Sequence, residues 1–141
     1  MRYFLFLLLF VAACQPDSRS PDDAAGEVVY VQYCASCHGI RLEGQPDWKV
    51  QNEDGSFKAP PHDDSGHTWH HGDPTLEEAI RLGGARLNDL NIGGTSNMPA
   101  FAETLSDEQI TAVLSYIKST WKEENRAWQQ EATIREQTSA Q

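Results

Sequence analysis

Apolar side chains along this chain are gathered into a few short segments separated by long polar stretches. The first segment has no periodicity. Tyr3–Ala13 is eleven apolar residues without a break, behind Met1 and Arg2. A membrane span needs roughly 20 apolar residues, so the pattern predicts a signal-peptide hydrophobic region, removed with residues 1–13. Residues 14–25 are rich in Pro, Ser and Asp and predict a flexible tether. Helical spacing begins after it. Val28, Val31 and Ala35, with Tyr30 adjacent, predict a helix over Gly26–Ala35, started by Asp22 and Asp23. Asp73 as N-cap, Pro74 at the first helical position and acids in the first turn predict a second helix, stopping at Gly83-Gly84. Ser106-Asp107-Glu108-Gln109 has the form of a capping box. It opens a third helix with Ile110, Val113, Leu114 and Ile117 on one face, ending near Thr120.

The stretches 39–72 and 84–105 are rich in Gly, Pro, Asp and Asn. Connections of that length in a compact domain need a structural reason. Within the first, Trp48-Lys49-Val50 and Ser56-Phe57-Lys58 flank Asp54-Gly55 and predict a small β-hairpin in 47–59. After Trp121 the only large apolar residues are Trp128 and Ile134. Residues 122–141 are expected to form a polar extension, partly helical or disordered, with its last ten or so residues frayed. The domain proper is expected at 26–121, all-α with three to four helices.

Composition sharpens this picture. The 141 residues carry 11 Lys and Arg against 21 Asp and Glu, a formal charge of −10. Without residues 1–13, which contain one basic residue, the charge is −11. Leu, Ile, Val and Phe then number 20 among 128 residues, below the ~20% that, with high net charge, usually accompanies disorder. Nucleic acid is excluded as a partner, because phosphate binding needs a basic surface. Something besides apolar side chains must complete the core.

Cys34-Ala35-Ser36-Cys37-His38 supplies a candidate. C-x-x-C-H is the attachment signature of c-type haem. Two thiols three positions apart on a helical turn reach the two vinyl groups of one porphyrin, and His38 then turns its imidazole to the iron. A dithiol redox pair expects a βαβ context, and a zinc site needs a second Cys/His pair; neither is present. One covalent haem c is an apolar plate around which both long loops can wrap. At the other end of the chain, Val11-Ala12-Ala13-Cys14 resembles the bacterial lipobox. That resemblance implies cleavage before Cys14 and its acylation, a lipid anchor on the periplasmic side of a bacterial membrane. Gln15 at the next position leans towards the outer membrane. An ordinary secretory signal with a chance cysteine is the alternative.

With these residues on the page, the sequence resembles a class I monohaem cytochrome c over roughly 26–121. Gly26 and Tyr30 stand eight and four residues before Cys34, as on that family's first helix. Val113 and Tyr116 match apolar and aromatic positions of its last helix, and Asn97-Met98-Pro99-Ala100-Phe101 matches its sixth-ligand loop. The resemblance implies close crossing of first and last helices, His38 and Met98 as axial iron ligands, and a backbone carbonyl from Pro60 or Pro61 accepting from the proximal imidazole. Met98 is the only methionine after Met1 and lies 60 residues beyond His38. A packed apolar methionine is the plain alternative. Between Gly39 and Pro60 the chain carries a longer insertion than compact members of that family, which shields one haem edge or decorates the surface.

His62, His67, His70 and His71 form a dense cluster. They are expected to line the haem edge, with His67 and Trp69 as propionate donors. The alternatives are a second imidazole ligand to the iron from this cluster, or a copper or zinc site in a haem-containing metal-handling or sensory protein. With both axial positions filled by protein, the function left is electron transfer through the haem edge, and no enzymatic step. A peroxidase would need an open iron position. A carrier at −11 expects redox partner proteins that dock through a basic patch.

Overall fold

The structure, a computed structural model, describes residues 20–87 and 93–139. The predicted signal peptide, Cys14 and residues 14–19 of the tether lie outside the described residues. Helix α1 spans Pro21–Tyr33. It starts five residues before the predicted Gly26, because Ser20 caps it: the Asp23 amide donates to Ser20 Oγ at 3.0 Å. Pro21, Asp22 and Asp23 fill its first turn, where a fixed φ and negative charge both favour the helix. Residues 21–25 thus belong to the helix and not to the tether. A single turn, α2 (Ala35–His38), follows directly. Helix α3 is Asp73–Leu82, α4 is Asp107–Ser119 and α5 is Glu123–Ser139.

The core forms where α1 crosses α4. A Cβ on Gly26 would lie 2.0 Å from the Ala112 carbonyl oxygen and 2.8 Å from Tyr116 Cβ, so only glycine allows this approach. Tyr30 (0% exposed), Ile110 (0%) and Val113 (1%) are sealed beside it, with Tyr116 and Ile117. The Tyr30 and Tyr116 rings meet at 5.5 Å, tilted. The capping box opens α4 as the sequence predicts: the Gln109 amide donates to Ser106 Oγ, and the Ser106 amide to Gln109 Oε1. The fold is mostly helical, the all-α cytochrome c-like class. Among the described residues no helix is long and apolar enough to cross a membrane.

Two further expectations fail. No hairpin forms in 47–59. Ser56–Phe57 (β1) instead pairs in parallel with Thr95–Ser96 (β2), tying the two long loops together. The reason is local. Asp54 Oδ1 accepts from both the Ser56 amide (2.9 Å) and the Ser56 hydroxyl (2.6 Å), closing a tight turn back on Asn52, whose amide donates to the Ser56 carbonyl. Trp48–Val50 is spent in a separate turn in which the Val50 amide donates to the Asp47 carbonyl. The second is the fraying expected of the last ten or so residues, in an extension that is helical nearly throughout. Helix α5 runs seventeen residues to Ser139, although Trp128 and Ile134 are both exposed. It buries Gln129, Ala132 and Thr133, a largely polar stripe that hydrophobic patterning does not register. Asn125 Nδ2 and the Lys122 amide both donate to Asp64 Oδ1, fixing the start of the helix to the first long loop.

Candidate cofactor site

The motif Cys34–His38 is a closed helical turn. The Cys37 and His38 amides donate to the Cys34 carbonyl (3.1 and 3.0 Å), and Gly39 donates to Ala35 (2.9 Å). Gly39, at φ +81°, ends the turn. The Tyr30 hydroxyl reaches from α1 to the Gly39 carbonyl at 2.9 Å, locking the turn onto the core. Burial raises the Tyr30 phenol well above its ordinary range, so it stays a donor. Cys34 is half-buried and Cys37 exposed, and both are free thiols. Burial, with the Cys37 thiol beside it, pushes the Cys34 thiol up to about 11, so it remains protonated at neutral pH.

His38 is buried, 7% exposed, with Nδ1 2.8 Å from the Pro60 carbonyl oxygen. A carbonyl can only accept, so Nδ1 carries the proton and Nε2 keeps its lone pair, the electrons a metal takes. Burial lowers the His38 pKa against the opposing pull of the Pro60 bond, which keeps the ring neutral. His62 stacks on it at 4.1 Å, the planes 22° apart. His62 is fixed in turn: its amide donates to Leu42, its carbonyl accepts from Trp121 Nε1 (2.6 Å), and its Nδ1 lies 2.8 Å from Thr68 Oγ1. Desolvation, then the neighbouring His38 and His67, pushes His62 well below the usual imidazole range. The first long loop therefore has a structural purpose, presenting Pro60 and His62 to the motif. The accepting carbonyl is Pro60's; Pro61 is buried behind it, its carbonyl 3.4 Å from Thr68 Oγ1.

Met98 lies in the second long loop, half-buried against the core cluster. Its backbone is pinned on both sides, the amide donating to Ser96 Oγ (3.2 Å) and the carbonyl accepting from Gly84 (2.8 Å). Gly83 makes this possible: a Cβ there would sit 2.4 Å from the Pro99 carbonyl oxygen. Phe101, buried, packs edge-on to Tyr33 of α1 at 6.2 Å and donates its amide to Ile80. The methionine loop is thus held between the C-terminal end of α3 and the first helix.

The histidine-rich loop is not a metal cluster. Among the described residues no group of three or more His, Cys, Asp or Glu is placed to hold a metal ion, which goes against the metal-handling alternative. The rings are taken up by aromatic partners instead. His67 is exposed and stacks on Trp48 at 5.2 Å; His70 stacks on Trp69 at 3.8 Å. Trp69 Nε1 is the buried side-chain polar atom that finds no partner among the described residues. An unpartnered buried donor costs about 1–3 kcal/mol, so an acceptor belongs there, and a haem propionate is an acceptor of the right kind. This orphaned donor, two free thiols in one turn and a buried neutral imidazole with a free Nε2 together fit the group.

Several residues on which the site depends escape sequence reasoning. Asp73 is not the N-cap of α3. The cap is Gly72, which has no side chain, and α5 supplies the acceptors: Thr133 Oγ1 for the Asp73 amide (3.0 Å) and the two Glu136 carboxylate oxygens for Gly72 and Thr75 (2.8 and 3.1 Å). The Asp73 carboxylate is freed to pair with Lys118 of α4 at 2.9 Å. Only the separation of about 60 positions hides this; a helix start after glycine, with no Ser, Thr, Asn or Asp before it, is the signal that a distant cap is needed.

No curated protein and no solved structure matches the chain. Residues 21–117, more than two thirds of it, match the family profile described as cytochrome C oxidase, cbb3-type, subunit III. The matched span runs from the first residue of α1 almost to the end of α4 and encloses the C-x-x-C-H turn, the Pro60 loop and the Met98 loop; the chain belongs to this family of cytochrome c domains, which bind haem c covalently.

Proposed function

We propose that this chain is a one-electron carrier, anchored by lipid on Cys14 outside the cytoplasm, that works in haem-based electron transfer without a bond being made in any substrate. Cys34 and Cys37 are the thioether positions, and His38 and Met98 the axial ligands. Bound through them, haem c supplies a couple between Fe(II) and Fe(III). The observation that carries the reading is the His38–Pro60 hydrogen bond. It fixes the tautomer, leaves Nε2 free and sets the ring angle before any ligand arrives. The Met98 assignment is supported by the pinned backbone on either side of the thioether and by its packing against the core.

The protein's own groups divide the remaining work. Trp69 donates to a propionate and so offsets a negative charge near the iron. His62 covers one face of the His38 ring and keeps water from it. The acidic surface, −10 over the chain, favours a redox partner with a basic patch, steering weak and rapid encounters. Absorption spectroscopy of protein matured with a cytochrome c assembly system tests the reading. The weak far-red band of thioether–iron ligation is expected in the ferric state. A ferric spectrum without it, or with the signature of an open coordination position, refutes His/Met ligation.

A further inference from the structure

We propose that α5 positions Trp69, through Trp128 and Glu136, and so helps set the reduction potential. The proposal rests on the reading of Trp69 as a propionate donor. Three rings run from the helix towards the site. Trp128, 49% exposed on α5, meets the edge of His70 at 6.2 Å, and His70 lies stacked on Trp69 at 3.8 Å. The same helix fastens the chain just beyond. Gln129 Nε2 donates to the His71 carbonyl (3.3 Å) and to Asp73 Oδ1 (2.8 Å), Thr133 Oγ1 accepts from the Asp73 amide, and Glu136 accepts from Gly72 and Thr75. The segment from 70 to 75 is thus held to α5 by a ring edge and by several hydrogen bonds.

Such fastening matters because of what it holds. An indole whose N–H is buried without a protein partner gains by turning towards water, and its side chain has rotamers available for doing so. The His70 ring lies over the indole and blocks that turn; Trp128 holds His70, and Glu136 holds the backbone that follows. Helix α5 lies outside residues 21–117, the part that matches the family. The α5 side of the clamp therefore lies beyond the matched span, and the Trp69–Thr75 side within it. Trp128 and Glu136 are positioning residues, acting on the site through His70 and the start of α3.

The test uses full-length holoprotein with four single replacements: Trp69→Phe, Trp128→Ala, Trp128→Phe and Glu136→Ala. Covalent haem content, reduction potential and amide hydrogen exchange at Gly72 and Thr75 are measured for each. Trp128→Ala, Trp128→Phe and Glu136→Ala are expected to keep wild-type haem content, and the potential of Trp69→Phe is measured on its haem-loaded fraction. Trp69→Phe lowers the potential, because a propionate without its donor carries more effective negative charge and favours Fe(III). Trp128→Ala lowers it in the same direction, and Trp128→Phe, which keeps a ring at the His70 edge, restores it. Glu136→Ala speeds exchange at Gly72 and Thr75 about tenfold, the scale of a lost helix cap, and lowers the potential as well. Trp128 is half-exposed, so its truncation opens no buried cavity, and Glu136→Ala is an independent arm. A lowered potential in Trp69→Phe beside unchanged potentials in Trp128→Ala and Glu136→Ala overturns the positioning role. An unchanged potential in Trp69→Phe overturns the reading of Trp69 itself, and the role of α5 with it.

Discussion

Gly26→Ala places one methyl group at the tightest point of the helix crossing. The new carbon would lie 2.0 Å from the Ala112 oxygen, 2.6 Å from its carbonyl carbon and 2.8 Å from Tyr116 Cβ. Carbon–oxygen contacts settle at about 3.3 Å or more, so α1 and α4 must part by roughly 1 Å. The obstructing atoms are helix backbone and cannot rotate aside. Propensity works in the variant's favour, since alanine is better than glycine inside a helix by about 1 kcal/mol. Against it, overpacking costs about 1–3 kcal/mol. A gap of 0.5–1 Å also forfeits a quarter to a half of the dispersion contacts along the seam, where Tyr30, Val113 and Ile117 are all buried. The opposing terms leave a net loss of about 2 kcal/mol. For a domain near 100 residues that is a fall in Tm of about 10 °C. Guanidinium unfolding of the two holoproteins, followed by far-ultraviolet circular dichroism, measures it; the covalent haem cannot dissociate, so the transition reports the polypeptide. A variant as stable as wild type, with an unchanged m-value, would refute the account of the crossing.

Cys34→Ser or Cys37→Ser should leave at most one thioether and sharply lower holoprotein yield, with the remaining apoprotein largely unfolded by circular dichroism; a well-folded apo form would mean that haem is not the missing core. Met98→His should keep haem attached but lower the potential, because imidazole stabilises Fe(III) more than a thioether does; if Met98→Ala leaves both potential and far-red band unchanged, the methionine is merely packed. Cys14→Ser should move the protein from the membrane fraction to soluble or unprocessed material with haem content intact, and loss of haem would place Cys14 in the fold. For Glu136, desolvation raises the pKa, but the bonds from Gly72 and Thr75 and the nearby His71 outweigh it, so the folded value lies below 4.5. Its charge-dependent contribution to stability is then present above that value and lost as pH falls through the folded one; urea titrations at pH 7 and at progressively lower pH should show the destabilisation by Glu136→Ala shrinking as pH falls, whereas a gap that stays constant would exclude the linkage.

Local signals were readable and distant ones were not. The capping box at Ser106 and the stop at Gly83 depend on residues within one helical turn, and the structure has both where they are expected. The C-x-x-C-H turn is local in the same sense. The start of α1 was hidden because Ser20-Pro21-Asp22-Asp23 has the composition of a tether, and composition cannot distinguish a cap from a linker. The false hairpin came from reading Asp54-Gly55 as a two-residue turn, when the Asp54 carboxylate closes a tighter loop on Ser56 and leaves β1 free to find β2. The full length and docking of α5 escape for a different reason: what it buries is Gln129 and Thr133, groups that work by hydrogen bonding across about 60 positions. Periodicity records apolar burial, and this helix contributes little of it.

The distant capping of α3 also imposes an order in time. Ribosomes release chains, and export channels thread them, from the N-terminus forward. Cys34, Cys37 and His38 therefore emerge well before Thr133 and Glu136, and until those two arrive the Gly72, Asp73 and Thr75 amides have no acceptor on the chain. During that interval nothing from α5 fastens the segment that follows Trp69, although the attachment residues have already emerged. Chain direction alone therefore delays the fastening of the start of α3 until the last helix has emerged.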